Sequence, residues 1–328
     1  MKLLEIKTAQ YRLLTLAAIR FEDASPDWPV LARAAQLADG LDLLHRGVVL
    51  EDSRDARKTQ ALLRRVFTEA ADTTLAAARE RVDRELEVAA RFKARLTTVL
   101  DEDYPVNLRL VPNLSPFLFY RGTLEARDAY SIAVVGTRQA SEIGRARAGR
   151  MARELCERGV RIYSGLAKGI DTAAHTATLD AGGRTLAVIG TGISKCYPAE
   201  NKALMERIAE NGAVISQFWP SASGATWTFP RRNITMSGLS QATCVIEAGH
   251  TSGAKLQARY AYEHGKRVFL IRSLVQDQPW AAKMLADGKA TEVEDSAAIV
   301  KYLAEPERIV AASAARQQLA LDLFSESA

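Results

Sequence analysis

Val160-Arg161-Ile162-Tyr163 runs into Ser164-Gly165-Leu166-Ala167-Lys168-Gly169, and a helical pattern begins at Ile170-Asp171-Thr172-Ala173-Ala174-His175. An apolar strand that ends in a glycine-flanked loop and restarts as a helix can be built in few ways. Two glycines four apart let the backbone turn tightly and come close to a ligand. The helix start then leaves N–H groups free for an anion. The same arrangement stands upstream, where Ile132-Ala133-Val134-Val135 leads into Gly136-Thr137-Arg138 and a further helix. Two adjacent strand–loop–helix units, each aiming backbone donors and a cation at one place, predict a site for a phosphate-bearing ligand.

The alternation continues. Strands are predicted near 132–135, 160–164, 185–189, 213–217, 243–247 and 267–271, with a short one at Phe117–Tyr120 after Pro116. Four of the six are continuous apolar runs, the pattern of strands covered on both faces, as in a parallel sheet. The helices between them end at glycines such as Gly159, Gly212 and Gly265, as C-caps often do. Residues 98–304 therefore read as an α/β domain, an extended Rossmann-like parallel sheet with helices on both faces. Before it, Thr8–Arg20, Val30–Leu44, Thr59–Val66 and Leu75–Leu96 carry apolar residues at helical spacing. Residues 1–97 are expected to be an all-helical N-terminal domain. Residues 305–328 form a short C-terminal tail, with one helix predicted over Ala311–Leu323.

Composition excludes several classes. At 48% hydrophobic and 25% charged the chain reads as globular, and no apolar run approaches the roughly 20 residues of a membrane span. Cys156, Cys196 and Cys244 lie far apart without metal-ligand spacing. Met1-Lys2-Leu3-Leu4-Glu5-Ile6-Lys7 lacks a signal-peptide core. A cytoplasmic protein with no metal and no cofactor is the expectation. The formal charge is +5, and residues 131–240 carry 14 Lys or Arg against 8 Asp or Glu. Arg145, Arg147, Arg150 and Arg153 lie along one helix, as a solvated face or as a nucleic-acid footprint.

Four constellations carry candidate chemistry. Gly136, Thr137 and Arg138 sit at the C-terminal end of the first core strand, where open α/β sheets bind ligands, and Arg138 can pair two donors with a phosphate. The full Gly-x-Gly-x-x-Gly pattern is lacking, which disfavours a dinucleotide. In the second, Ser164, Gly165, Lys168 and Gly169 form the loop. Asp171 and His175, four apart on one helix face, read either as an acid–base pair or as a hydrogen-bonded pair that fixes the loop; the loop-fixing role is preferred. The third is Phe229-Pro230-Arg231-Arg232-Asn233, after a loop that contains Trp227. Paired arginines beside two aromatics suit a phosphate backbone and a stacked base. In the fourth, Glu247 through Lys255, Ser252 or Thr251 is a possible N-cap, and Thr251, Ser252 and Gly253 offer donors to a phosphate. Glu247 could be a catalytic carboxylate but has no visible partner acid.

Taken in order, these residues resemble the DNA-processing protein A family, also called DprA or Smf. Tyr104-Pro105 with Pro116–Gly122, the two phosphate loops, Tyr197-Pro198-Ala199-Glu200-Asn201-Lys202, Phe229–Asn233 with Ser237-Gly238-Leu239-Ser240, and Glu247-Ala248 with Ser252-Gly253 are each similar to a family motif. The resemblance implies an extended Rossmann fold that binds single-stranded DNA without catalysing a reaction, loads the recombinase RecA and dimerises. It places Arg138, Gly165, Lys168, Lys202, Arg231 and Arg232 along the DNA. Departures include Gln217 after Ser216, Ile234 after the Arg-Arg-Asn run and Ala254-Lys255-Leu256-Gln257 after Ser252-Gly253. The winged-helix domain of many members is expected to be missing. The departures leave one alternative, a regulator or antitoxin with a cognate toxin in a toxin–antitoxin or phage-defence module; a second, independent of them, is an N-glycosidase-like nucleotide-processing enzyme on a related Rossmann fold.

Overall fold

The computed structural model describes residues 4–305, 307–309 and 311. The helix expected over Ala311–Leu323 lies, but for its first residue, outside them. Nine strands form one sheet: β1 (Arg95–Thr98), β2 (Phe117–Gly122), β3 (Ser131–Val135), β4 (Arg161–Ser164), β5 (Thr185–Val188), β6 (Ala213–Ser216), β7 (Ala242–Val245), β8 (Arg267–Ile271) and β9 (Thr291–Val293). Their spatial order is β1-β2-β6-β5-β4-β3-β7-β8-β9. Strands from β6 through to β9 pair in parallel, whereas β2 pairs antiparallel with both β6 and β1. The expected Rossmann-like sheet is thus present, with an antiparallel extension at one edge. The chain adds strands outward on one side of β3 as far as β6, then returns to place β7 on the other side. That reversal opens a crevice at the C-terminal ends of β3 and β7.

Every residue of β3, β5, β6 and β7 is buried, as coverage on both faces requires. Alternation sorts β3 between two cores. Ile132 and Val134 face α7 (Glu142–Glu157) and α8 (Ile170–Asp180), while Ala133 and Val135 join the larger core on the other face. Gly159 and Gly265 take positive φ just past the helices they end, but Gly212 does not. It is a close-approach glycine: a Cβ there would fall 2.0 Å from the Thr185 carbonyl oxygen.

Five helices precede the sheet: α1 (Thr8–Ala18), α2 (Trp28–Ala35), α3 (Gly40–His45), α4 (Arg54–Glu69) and α5 (Ala71–Arg91). The single periodic stretch seen over Val30–Leu44 is two helices, broken where Asp39 takes φ 54°. The helical pattern followed to Leu96 stops at Arg91, Lys93 turns the chain at φ 53°, and β1 begins at Arg95. These helices share the sheet's larger core. The Trp28 ring stands 4.9 Å from Phe117 and 6.2 Å from Trp219, centroid to centroid. Buried Asp101, just past β1, accepts from Lys7 Nζ at 2.9 Å and Gln10 Nε2 at 2.6 Å on the first helix and its start. The remaining helices are α6 (Val106–Arg109), α9 (Lys202–Asn211), α10 (Thr228–Leu239), α11 (Gly253–Glu263), α12 (Arg272–Asp277), α13 (Pro279–Ala286) and α14 (Ser296–Val300). Among the described residues no helix is long and apolar enough to cross a membrane, and no cluster of His, Cys, Asp and Glu could hold a metal.

Candidate nucleic-acid interface

At the strand-order reversal lies a cavity of about 570 Å³. Its walls are the β3–α7 loop (Gly136 to Gln139), Ala167 and Asp171 from the β4–α8 unit, Phe229, Pro230, Arg232 and Asn233 at the start of α10, and Gly249 with Thr251 to Ala254 in the β7–α11 loop. Four separate sequence motifs therefore meet at one place. Gly136 must be glycine here, because a Cβ would fall 2.3 Å from Ile170 and 2.7 Å from the Glu247 carbonyl. The Thr137 N–H donates to that carbonyl at 2.6 Å, stitching the two loops on either side of the reversal.

The β4–α8 loop is held from within. Asp171, buried on the first turn of α8, accepts from the N–H groups of Gly165 at 3.0 Å and Ala167 at 3.3 Å. Burial raises its carboxyl pKa, while the Arg232 charge and the two amides oppose the rise. Leu166 takes φ 58° and Gly169 φ 77°, so the loop needs this bracing. Asn201 supplies more: its Nδ2 donates to the Leu166 carbonyl at 2.9 Å and the Thr172 hydroxyl at 3.0 Å. Ser164 Oγ donates to the Val134 carbonyl at 2.7 Å. No role for Asn201 follows from the sequence; the only signal is its place in the Tyr-Pro-Ala-Glu-Asn-Lys run.

The expected Asp171–His175 hydrogen bond does not form. His175 is fully buried and its Nδ1 lies 2.7 Å from Thr185 Oγ1 on β5. That hydroxyl donates to the Ile162 carbonyl, so it accepts from the imidazole. Burial lowers the His175 pKa to about 3. The two residues share a helix face, but Asp171 turns to the loop and His175 to the sheet. The contact of His175 with the loop that it was expected to fix is confined to the Ser164 backbone at the loop's start. Glu247 is occupied too. Its carboxylate accepts from the Ser141 N–H at 3.1 Å and the Ser141 hydroxyl at 2.8 Å, where it favours the start of α7.

The two neighbouring arginines of α10 differ. Arg232 is buried and reaches across the sheet ends, donating to the carbonyls of Gly165 and Val188 and to Asn233 Oδ1. Burial brings its pKa down to about 10. Gly165 makes room for it, since a Cβ there would lie 2.4 Å from the guanidinium. Asn233 passes the connection on, donating to the Gly253 carbonyl at 3.2 Å. Arg231 is half-buried, and its side chain makes no ion pair with a described residue. Exposed Arg138 lies over the Phe229 ring, 5.4 Å from its centroid. Phe229 in turn stands 5.4 Å from Tyr197. Tyr197 and Trp227 are 52% and 65% exposed, Trp227 standing 5.9 Å from Phe218, so aromatic surface meets solvent beside the cations. Ser252 caps α11, its Oγ 3.2 Å from the Ala254 N–H.

Two expected contributors stand apart. Lys168 Nζ is paired with Glu200 at 2.6 Å, both half exposed. Lys202 lines a different cavity, with Lys195 and Arg121.

Residues 95–304 match the family model described as DNA recombination-mediator protein A. The chain is 37% identical to the DNA processing protein DprA of Streptococcus pneumoniae over 203 residues, 62% of this chain and 70% of that one. It is 39% identical to Protein Smf of Synechocystis over 173 residues, 52% of this chain but only 44% of that relative's length. Among solved structures, the Streptococcus pneumoniae DNA processing protein A superposes with a TM-score of 0.69 at 27% identity, covering 92% of this chain and 99% of that one. A Helicobacter pylori DNA processing protein A, described for its single-stranded DNA binding mode, gives a TM-score of 0.56 at 23% identity over 63% of this chain and 94% of that one. The chain belongs to the DNA recombination-mediator protein A family, whose relatives carry the names DprA and Smf.

Proposed function

We propose that the crevice at the strand-order reversal binds single-stranded DNA, and that the protein acts as a non-catalytic recombination mediator. The observation that carries the reading is the rim: Arg138 over Phe229, Arg231 without an ion-pair partner, and the exposed rings of Tyr197 and Trp227. Cations beside aromatic faces match a flexible strand, whose phosphates are held electrostatically and whose bases stack. Thr137, Ser252 and Gly253 add loop donors beneath them, and Lys168 becomes available wherever a phosphate competes with Glu200. A duplex keeps its bases stacked on one another and leaves the rings unused. The Helicobacter relative described for binding single strands points the same way. The family membership supports a role in passing such strands to a recombinase of the RecA class, with a second copy of the chain completing a homodimer. Turnover is not part of the reading: Asp171, His175 and Glu247 are each engaged in holding the fold.

Fluorescence anisotropy with an oligothymidylate and its duplex counterpart, at about 50 mM salt, tests this. Single strands bind more tightly, and Arg138→Ala lowers the slope of log K against log salt by about 0.7, the increment of one phosphate contact on a single strand. Equal affinity for the duplex, or no binding at all, refutes the proposal.

A further inference from the structure

Beside the rim lies a second cavity of about 580 Å³, and its lining is basic. The C-terminal end of α5 contributes Arg91, Phe92 and Lys93. The segment after β5 contributes Lys195, and the start of α9 contributes Lys202. Arg121 of β2 is there too, but it is spent on Glu206, which it grips with both terminal nitrogens. That pair neutralises the one acid of the lining. Lys93, Lys195 and Lys202 are exposed and form no ion pair with a described residue. Phe92 is 42% exposed among them. An apolar ring held in water between unpaired cations repeats the chemistry of the first crevice.

The two cavities share a wall. The segment Tyr197–Asn201 has the Tyr197 ring against Phe229 of the first crevice on one side. On the other side Ala199 and Lys202 line the second cavity. A polymer leaving the first crevice over Tyr197 crosses this segment into the cavity lined by Lys202, Lys195 and Phe92.

The geometry points to the second cavity as a continuation of the strand path, in which Lys93, Lys195 and Lys202 hold phosphates and Phe92 stacks a base of the same DNA single strand. This rests on the single-strand reading of the first crevice and deepens it. The N-terminal helices thereby contribute directly to the nucleic-acid surface, through the C-terminal end of α5.

Oligothymidylates of 6 and 20 nucleotides separate the two cavities, since only the longer can occupy both. In the expected result, Lys93→Asn with Lys195→Ala lowers the salt slope for the 20-mer by about 1.4, two phosphate contacts. Asparagine is chosen because it tolerates the left-handed backbone of Lys93. Phe92→Ala weakens the 20-mer roughly tenfold, as loss of one stacked base does. The advantage of the 20-mer over the 6-mer shrinks in both variants. If the wild-type chain binds the 20-mer and the variants keep its slope and affinity, the second cavity is off the path, and the first-crevice reading survives. Equal losses for both lengths overturn the continuation as well, because the cations then act as a general field. If the wild-type chain binds neither length, both readings fall together.

Discussion

Arg231 and Arg232 are the same residue type at adjacent positions, and their side chains belong to different parts of the molecule. Arg232 spends its donors on Gly165, Val188 and Asn233 inside the protein. Removing a buried, hydrogen-bonded charge costs about 3–5 kcal/mol, so Arg232→Met lowers the unfolding free energy from denaturant titration by that amount. Arg231→Ala leaves that free energy within about 0.5 kcal/mol of wild type and weakens DNA binding instead. Equal stability losses in the two variants would refute the division of roles. The sequence presents the pair as two DNA contacts because nothing local separates them. What buries Arg232 is a pair of carbonyls 67 and 44 residues away. The reverse holds at Asp171, where the partners are the amides of its own loop, six and four residues away. His175 has its partner on another strand, and i,i+4 spacing could not point to it.

At the scale of elements, the six strands expected from the sequence are all present and parallel, four of them marked as continuous apolar runs because coverage on both faces leaves a compositional mark that survives without context. Two strands leave no such mark. β1 is Arg-Leu-Thr-Thr with its first residue exposed, and β9 is three residues long. Both are strands because a neighbour offers a free edge. The end of α10 is another element set from afar. Lys266, just after Gly265, sends its Nζ to the carbonyls of Ser237, Gly238 and Ser240 and closes the helix that carries Arg231 at its other end. Lys266→Met keeps the apolar stem and orphans those carbonyls. It lowers stability by about 1–3 kcal/mol, measured by thermal or denaturant unfolding. An unchanged midpoint would mean that water satisfies the helix end.

Across the whole molecule, three histidines are held below their ordinary value of 6.5 by burial: His45 at about 4, His175 at about 3 and His264 at about 4. The unfolded chain protonates them near 6.5. Their contribution to stability is therefore complete above that pH and is lost as the pH falls towards 4, the unfolded state binding more protons throughout the interval. Depressed carboxylates such as Glu51 and Glu206 act only at lower pH. The buried Asp171 carboxyl, with its raised pKa, works in the opposite sense. Unfolding midpoints measured between pH 7 and 4.5 fall with acidity, and His175→Gln flattens the curve; a midpoint constant over that range contradicts the burial. The crevice itself has a consequence in time. Its floor belongs to the β3–α7 loop and its far wall to the β7–α11 loop, joined by the Thr137–Glu247 bond. A chain emerging from the ribosome completes the first of these at residue 139 and the last only at residue 254. Until then the half-made sheet ends at β3 with an open edge and offers nucleic acid half a groove. On the single-strand reading, a nascent copy therefore has no complete groove for DNA until nearly the whole of the sheet has been synthesised.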